Sequence, residues 1–292
     1  EEVLKKLDSK ADFYGDLAMK IWSNPELGYL ETQSSALLQQ TLKDAGFVVK
    51  AGVAGVPTAF VAEYGSGKPV IGIMAEFDAL PGVSQKAVPF RDPVIEGGAG
   101  HACGHHLFGT ASTAAGITVM GWMKDNNIKG TLRVYGTPAE EGGGGKVYMA
   151  KAGLMDDVDA MLHWHPGSDN EAGATSSLAN ISTKFRFYGV ASHAAAAPER
   201  GKSALDGVEA MNFMVNLMRE HVPMETRMHY VITRGGEAPN VVPAFAESYH
   251  YVRHPDARVV KEIFQRMIKT AEGAALGTQT RMEYEIINGV YN

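Results

Sequence analysis

Val70-Ile71-Gly72-Ile73-Met74-Ala75 reads as a short β-rich strand, and it runs straight into a polar loop, Glu76-Phe77-Asp78-Ala79-Leu80-Pro81. On either side of it, residues 59–64, 131–135 and 160–163 have the same short, β-rich character. Between the strands at 70–75 and 131–135 lies an Ala/Gly/Met-rich stretch, 104–126, that reads as a buried helix. Strands alternating with helices predict an α/β sheet flanked by helices, with ligands bound on the loops at the strand ends. Towards the N-terminus, Val3, Leu4, Leu7, Phe13, Leu17 and Ile21 recur at helical spacing, which predicts one helix over the first two dozen residues, stopped by Pro25. Residues 31–45 repeat the pattern, with Gly46 as the C-terminal stop.

After about Ser176 the pattern changes to strand 178–188, helix 203–221, strands 228–233 and 244–252, helix 257–275 and strand 280–287. That order is β-α-β-β-α-β, a ferredoxin-like split-βαβ sandwich. Two domains follow, 1–176 and 177–292. The strand at 244–252 alternates in part and is expected to pair edge to edge with a second copy.

With 292 residues, 45% hydrophobic, the chain is long enough for two cores. A net charge of -6 without a basic run argues against nucleic acid and acidic membrane surfaces, and leaves a small molecule as partner. No apolar run spans a bilayer. One cysteine, Cys103, excludes an internal disulfide framework and suits a cytoplasmic location, although a chain that begins at Glu1 leaves room for a removed leader.

Three segments at or just past strand ends offer metal-ligand side chains: His101-Ala102-Cys103-Gly104-His105-His106, Pro138-Ala139-Glu140-Glu141-Gly142 and His163-Trp164-His165-Pro166. A lone cysteine is more often a small buried hydrophobe, and His and Glu pairs are usually solvated. Three such segments converging on one pocket change that balance. Gly100 and Gly104 permit a tight turn into a helix, whose N-terminus, like the cation itself, favours a thiolate. Thiolate with imidazole suits Zn²⁺, while carboxylate with imidazole also accepts Mn²⁺ or Co²⁺. Of Glu140 and Glu141, one is expected to bind metal and the other to act as general base on metal-acidified water. Asp78 reads as the carboxylate behind a metal-bound histidine, or else as an Asx turn before Pro81.

Phe77-Asp78-Ala79-Leu80-Pro81, the His101–His105 run, Ala139-Glu140-Glu141-Gly142-Gly143, Trp164-His165-Pro166 and Pro239-Asn240-Val241-Val242 together resemble the dinuclear aminoacylase/carboxypeptidase metallopeptidases, family M-20, in its amidohydrolase branch. The resemblance implies a phosphorylase/hydrolase-like catalytic sheet with a lid/dimerisation domain. It implies two divalent metal ions, Zn or Mn with Co also accepted, and a homodimer or higher homo-oligomer formed through the lid. Position by position it makes Cys103 the bridging ligand, His105, Glu141 and His165 further ligands, and Glu140 the general base. His193 would reach across the dimer to polarise the scissile carbonyl, and Asn240 and Arg253 would hold substrate. The implied activity is hydrolysis of the amide bond of a small N-acyl or aminobenzoyl amino acid, or a dipeptide, by metal-bridged hydroxide. His106 departs from the branch, which commonly has Asp or Asn there. In the family the catalytic domain resumes after the lid with a last metal-binding histidine, so a further segment beyond Asn292 is expected. Two other readings are a decayed binder of acylated amino acids and an amidase with Cys103 as nucleophile.

Overall fold

A computed structural model describes residues 2–173 and 176–291 and divides the chain into two compact units, Glu1–Glu171 and Ala172–Asn292.

The first unit opens with α1 (Glu2–Asp8), α2 (Ala11–Trp22) and α3 (Thr32–Ala45). The single helix expected at the start is two, because the chain turns at Ser9 and Lys10 through Ser9 N–H to Lys5 O and Lys10 N–H to Leu7 O. Strands β1 (Val48–Ala51), β2 (Phe60–Ser66) and β3 (Val70–Ala75) follow, then α4 (His105–Asp125), β4 (Gly130–Gly136), α5 (Gly145–Lys151) and β5 (Ala160–Leu162). The sheet order is β1-β2-β4-β3-β5, with β3 parallel to both β4 and β5, and β2 antiparallel to β4 and β1. Leu17 and Ile21 of α2, Leu38 and Leu42 of α3, and Ala114 and Ile117 of α4 pack with Phe60, Ile73 and Val134 of the sheet. The apolar stripe of each helix thus finds one shared core.

In the second unit β6 (Ala179–Tyr188), α6 (Ala204–Met218), β7 (Arg227–Arg234), β8 (Phe245–His254), α7 (Ala257–Thr278) and β9 (Arg281–Val290) form an antiparallel sheet of order β7-β8-β6-β9 with its two helices. Ser203 caps α6 by accepting from Asp206 N–H, and Asp256 caps α7 by accepting from Arg258 N–H. Met211 and Val215 of α6 and Phe264 and Met267 of α7 bury Phe185, Phe187 and Val252. One expectation fails here. The strand predicted at 244–252 is β8, which is bonded on both sides by β7 and β6 and has no free edge to offer a second copy.

Candidate metal centre

Because β4, β3 and β5 run parallel and side by side, their C-terminal ends open on one edge of the sheet. The loops leaving them carry Glu76 and Asp78, Glu140 and Glu141, and His163 and His165. The turn into α4 brings the fourth piece. Gly104 caps α4 with φ 85°, and a Cβ there would lie 2.9 Å from the Pro166 ring, so glycine lets this turn close on the His165-Pro166 loop. Cys103 Sγ then lies 3.1 Å from His165 Nε2.

His105, the first residue of α4, is wholly buried. Its Nδ1 is 3.0 Å from Asp78 Oδ1, while Asp78 Oδ2 accepts the Glu141 backbone N–H at 2.9 Å. One carboxylate therefore orients the imidazole and ties down the loop of the paired glutamates. His105 Nε2 faces Glu76 Oε2 at 3.0 Å and Glu140 Oε2 at 3.9 Å. Glu76, which the sequence did not single out, is buried and also holds Lys146 Nζ at 2.5 Å and His163 Nε2 at 3.3 Å through Oε1.

Among the described residues two donor groups have cation-binding spacing: Cys103, His105 and His165, and Glu76, His105 and Glu140, each with its ligand atoms within 4.8 Å of one another. His105 belongs to both. Glu141 belongs to neither, although its carboxylate is near enough to Cys103 to raise the thiol. His105 Nε2 and Glu76 Oε2 are buried with only each other, 3.0 Å apart, within hydrogen-bond distance, and Glu141 Oε1 is buried without a hydrogen-bond partner. A buried polar atom left without a partner costs about 1–3 kcal/mol, and a cation here would give Glu141 Oε1 one. Sulfur, imidazole and carboxylate donors in this arrangement fit divalent cations.

Proton affinities reflect the same crowding of charge. Burial works against a charge on His105, yet hydrogen bonds to Asp78 and Glu76 outweigh it and raise the imidazole to about 10. Burial also opposes ionisation of Glu76, but His105, His163 and Lys146 together hold it well below the usual carboxylate range. Burial, followed by the Glu141 carboxylate, pushes the Cys103 thiol up to about 12. The helix N-terminus by itself does not offset these effects, and a divalent cation held here would favour the thiolate. Glu140 is raised by burial and then by the negative charge of Glu76. The rings of His101 and His106 lie 5.2 Å apart beside the same turn, and burial followed by the neighbouring histidines lowers His101 to about 4.

The second unit carries the other expected residues. His193 Nδ1 accepts from Ala195 and Ala196 N–H at 3.2 and 3.1 Å, which leaves Nε2 of this exposed residue as the proton-bearing nitrogen. Asn240 and Val241 lie alongside, through Ala194 N–H to Asn240 O and the His193–Val241 bridge. Arg253 is elsewhere on the sheet, half-buried in β8 with its guanidinium 5.0 Å from the Tyr251 ring centre.

Comparison with known proteins gives the family. The chain is 46% identical over 272 residues to the B-type subunit of the p-aminobenzoyl-glutamate hydrolase of Escherichia coli (strain K12), covering 92% of this chain and 56% of that protein. It is 30% identical to the Xaa-Arg dipeptidase of Mus musculus, covering 96% of this chain and 64% of that one. The chain thus spans somewhat over half the length of these relatives. An aminobenzoyl-glutamate utilization protein from Klebsiella pneumoniae shares the fold with a TM-score of 0.75 at 20% identity, over 100% of this chain and 79% of that one. The family model of peptidase family M20/M25/M40 matches residues 72–286, a span that contains every donor of the cluster, and the chain belongs to that metal-dependent family.

Proposed function

We propose that the chain carries the metal site and lid of an amidohydrolase that cleaves the amide bond of a small N-acyl or N-aroyl amino acid, or of a dipeptide. Supporting this reading is the position of Glu140, a half-exposed carboxylate 3.9 Å from His105 Nε2 at the rim of a sulfur, nitrogen and oxygen donor cluster. Divalent ions held by Cys103, His105, Glu141 and His165, Zn²⁺ or Mn²⁺ with Co²⁺ as a substitute, would acidify water and polarise the scissile carbonyl. Glu140, raised from its ordinary value by burial and by the charge of Glu76, is suited to take the proton from the attacking water and return it to the leaving nitrogen. Asp78 keeps the His105 ring in register throughout.

His193, with Nε2–H free, would donate to the oxygen on which charge develops, supplied by the neighbouring chain of a dimer formed through the lid. Asn240 beside His193 would help hold the substrate, as would Arg253, whose planar fork suits a carboxylate. The name of the E. coli relative points to p-aminobenzoyl-glutamate as first substrate, and its being one lettered subunit of that hydrolase points to a second kind of subunit as an alternative to a homodimer. A cytoplasmic site of action fits the single free cysteine.

A Cys103 nucleophile is disfavoured, since a thiol pushed up to about 12 carries almost no thiolate at neutral pH. The test is release of free amine from p-aminobenzoyl-glutamate, hippurate-like acyl amino acids and dipeptides by the metal-reconstituted protein. Glu140→Ala should lower kcat by about 10²–10⁴-fold with metal content retained. Near-normal turnover by that variant would rule out the assigned role.

A further inference from the structure

Glu31 is a fully buried carboxylate, and among the described residues no Lys or Arg pairs with it. Burying such a group is costly, and burial accordingly raises it. Its two oxygens have definite tasks: Oε1 accepts the backbone N–H of Ala139 at 2.7 Å, and Oε2 accepts Thr58 Oγ1–H at 3.1 Å. Ala139 is itself unusual, a buried non-glycine residue at φ 57°, in the left-handed region that disfavours a Cβ. Its carbonyl accepts from Gly143 and Gly144 N–H and so closes the loop that displays Glu140 and Glu141.

The segment before Glu31 presses on the same point. A Cβ on Gly28 would lie 2.9 Å from Ala139 Cβ, so the two backbones are already at contact distance. One step earlier, Leu27 bridges to Ala79, and Ala79 N–H donates to Glu26 O at 2.8 Å, next to Asp78. The stretch 26–31 thus braces both carboxylate-bearing loops from behind, and Glu31 engages the amide whose strained conformation sets the direction of Glu140 and Glu141.

We propose that Glu31 is a positioning residue for Glu140 and Glu141, acting through the Ala139 backbone; its catalytic consequence rests on the function proposed above. The test loads the full chain and its variants Glu31→Ala, Glu31→Gln and Gly28→Ala with Co²⁺. It reads the ligand-field spectrum and affinity of the bound ion, with kcat and KM on p-aminobenzoyl-glutamate in parallel. Glu31→Gln still offers an oxygen to Ala139 N–H and should keep the parent spectrum and kcat. Glu31→Ala should shift the spectrum, weaken Co²⁺ by about 10–100-fold, and lower kcat by about 100-fold with KM little changed. Gly28→Ala, which displaces Ala139 without touching Glu31, should shift the spectrum in the same way.

A Glu31→Ala protein that melts lower yet keeps the parent spectrum, affinity and kcat overturns the proposal, as does a Gln variant that fails as badly as the Ala variant. If Glu31→Ala does not fold, Gly28→Ala decides, and a parent-like spectrum there counts against positioning. A parent that binds Co²⁺ but releases no amine counts against the proposed function alone, because the spectral comparison still stands.

Discussion

Asp78 is the residue on which the centre's geometry turns, because both of its carboxylate oxygens accept from donors that face the metal-ligand loops, His105 Nδ1–H and Glu141 N–H. An amide cannot accept from both. Asp78→Asn should therefore set an NH₂ group against one of these donors and weaken metal affinity by about 10–100-fold, read by competition with a chromophoric chelator. Unchanged affinity would show that Asp78 is no more than a turn residue. Of the residues singled out in the sequence, Cys103, His105, His165 and Glu140 fall in donor groups of cation-binding spacing and Glu141 does not, and short motifs at strand ends are what made such donor types visible. Glu76 was not legible there, since it continues an apolar strand run and only the fold discloses Lys146 and His163 around it. Glu31 was invisible for a different reason: its partner Ala139 is 108 positions away, and a carboxylate binding a backbone amide leaves no pattern in the letters.

Among the elements, the alternation of strand and helix was readable from hydrophobic spacing, while strand direction was not. The link 67–69 between β2 and β3 is short enough to suggest a hairpin, yet β4 is inserted between them and pairs with both. Such long-range insertion is decided by packing against α4, which no local pattern carries. The error over β8 has the same origin: alternation marks a half-buried strand but does not say whether it lies at an edge.

Within the second unit, His250 of β8 is buried against Tyr230 and Phe185, with Ser248 Oγ 2.9 Å from its Nε2. Burial first, and then the Arg219 charge, lowers it from 6.5 to about 3. The depressed value means that the unfolded chain takes up this proton first as pH falls. The contribution of His250 to stability should thus be constant above about pH 6.5 and fall by up to about 1.4 kcal/mol per pH unit between there and pH 3. Urea melts of His250→Phe should lose part of that slope, and an identical slope would show that His250 does not set it.

For the molecule as a whole, metal binding is also folding energy, but only for the unit that holds the ligands. A cation at 100 times its Kd adds about 2.7 kcal/mol to the folded state. Hydrogen exchange should accordingly slow in residues 76–81, 101–106, 138–142 and 163–166 when metal is added, and return with a chelator, while β6 through β9 are unaffected. Uniform protection across both units would mean that the ion acts elsewhere. Whether Cys103 and the imidazoles of His105 and His165 share one cation can be read from zinc X-ray absorption on the metal-loaded chain. A sulfur scatterer at about 2.3 Å together with imidazole nitrogens near roughly 2.0 Å is expected, with the sulfur shell lost in Cys103→Ala; a first shell of nitrogen and oxygen only, the same in parent and variant, would remove the thiol from the centre and the shared site with it.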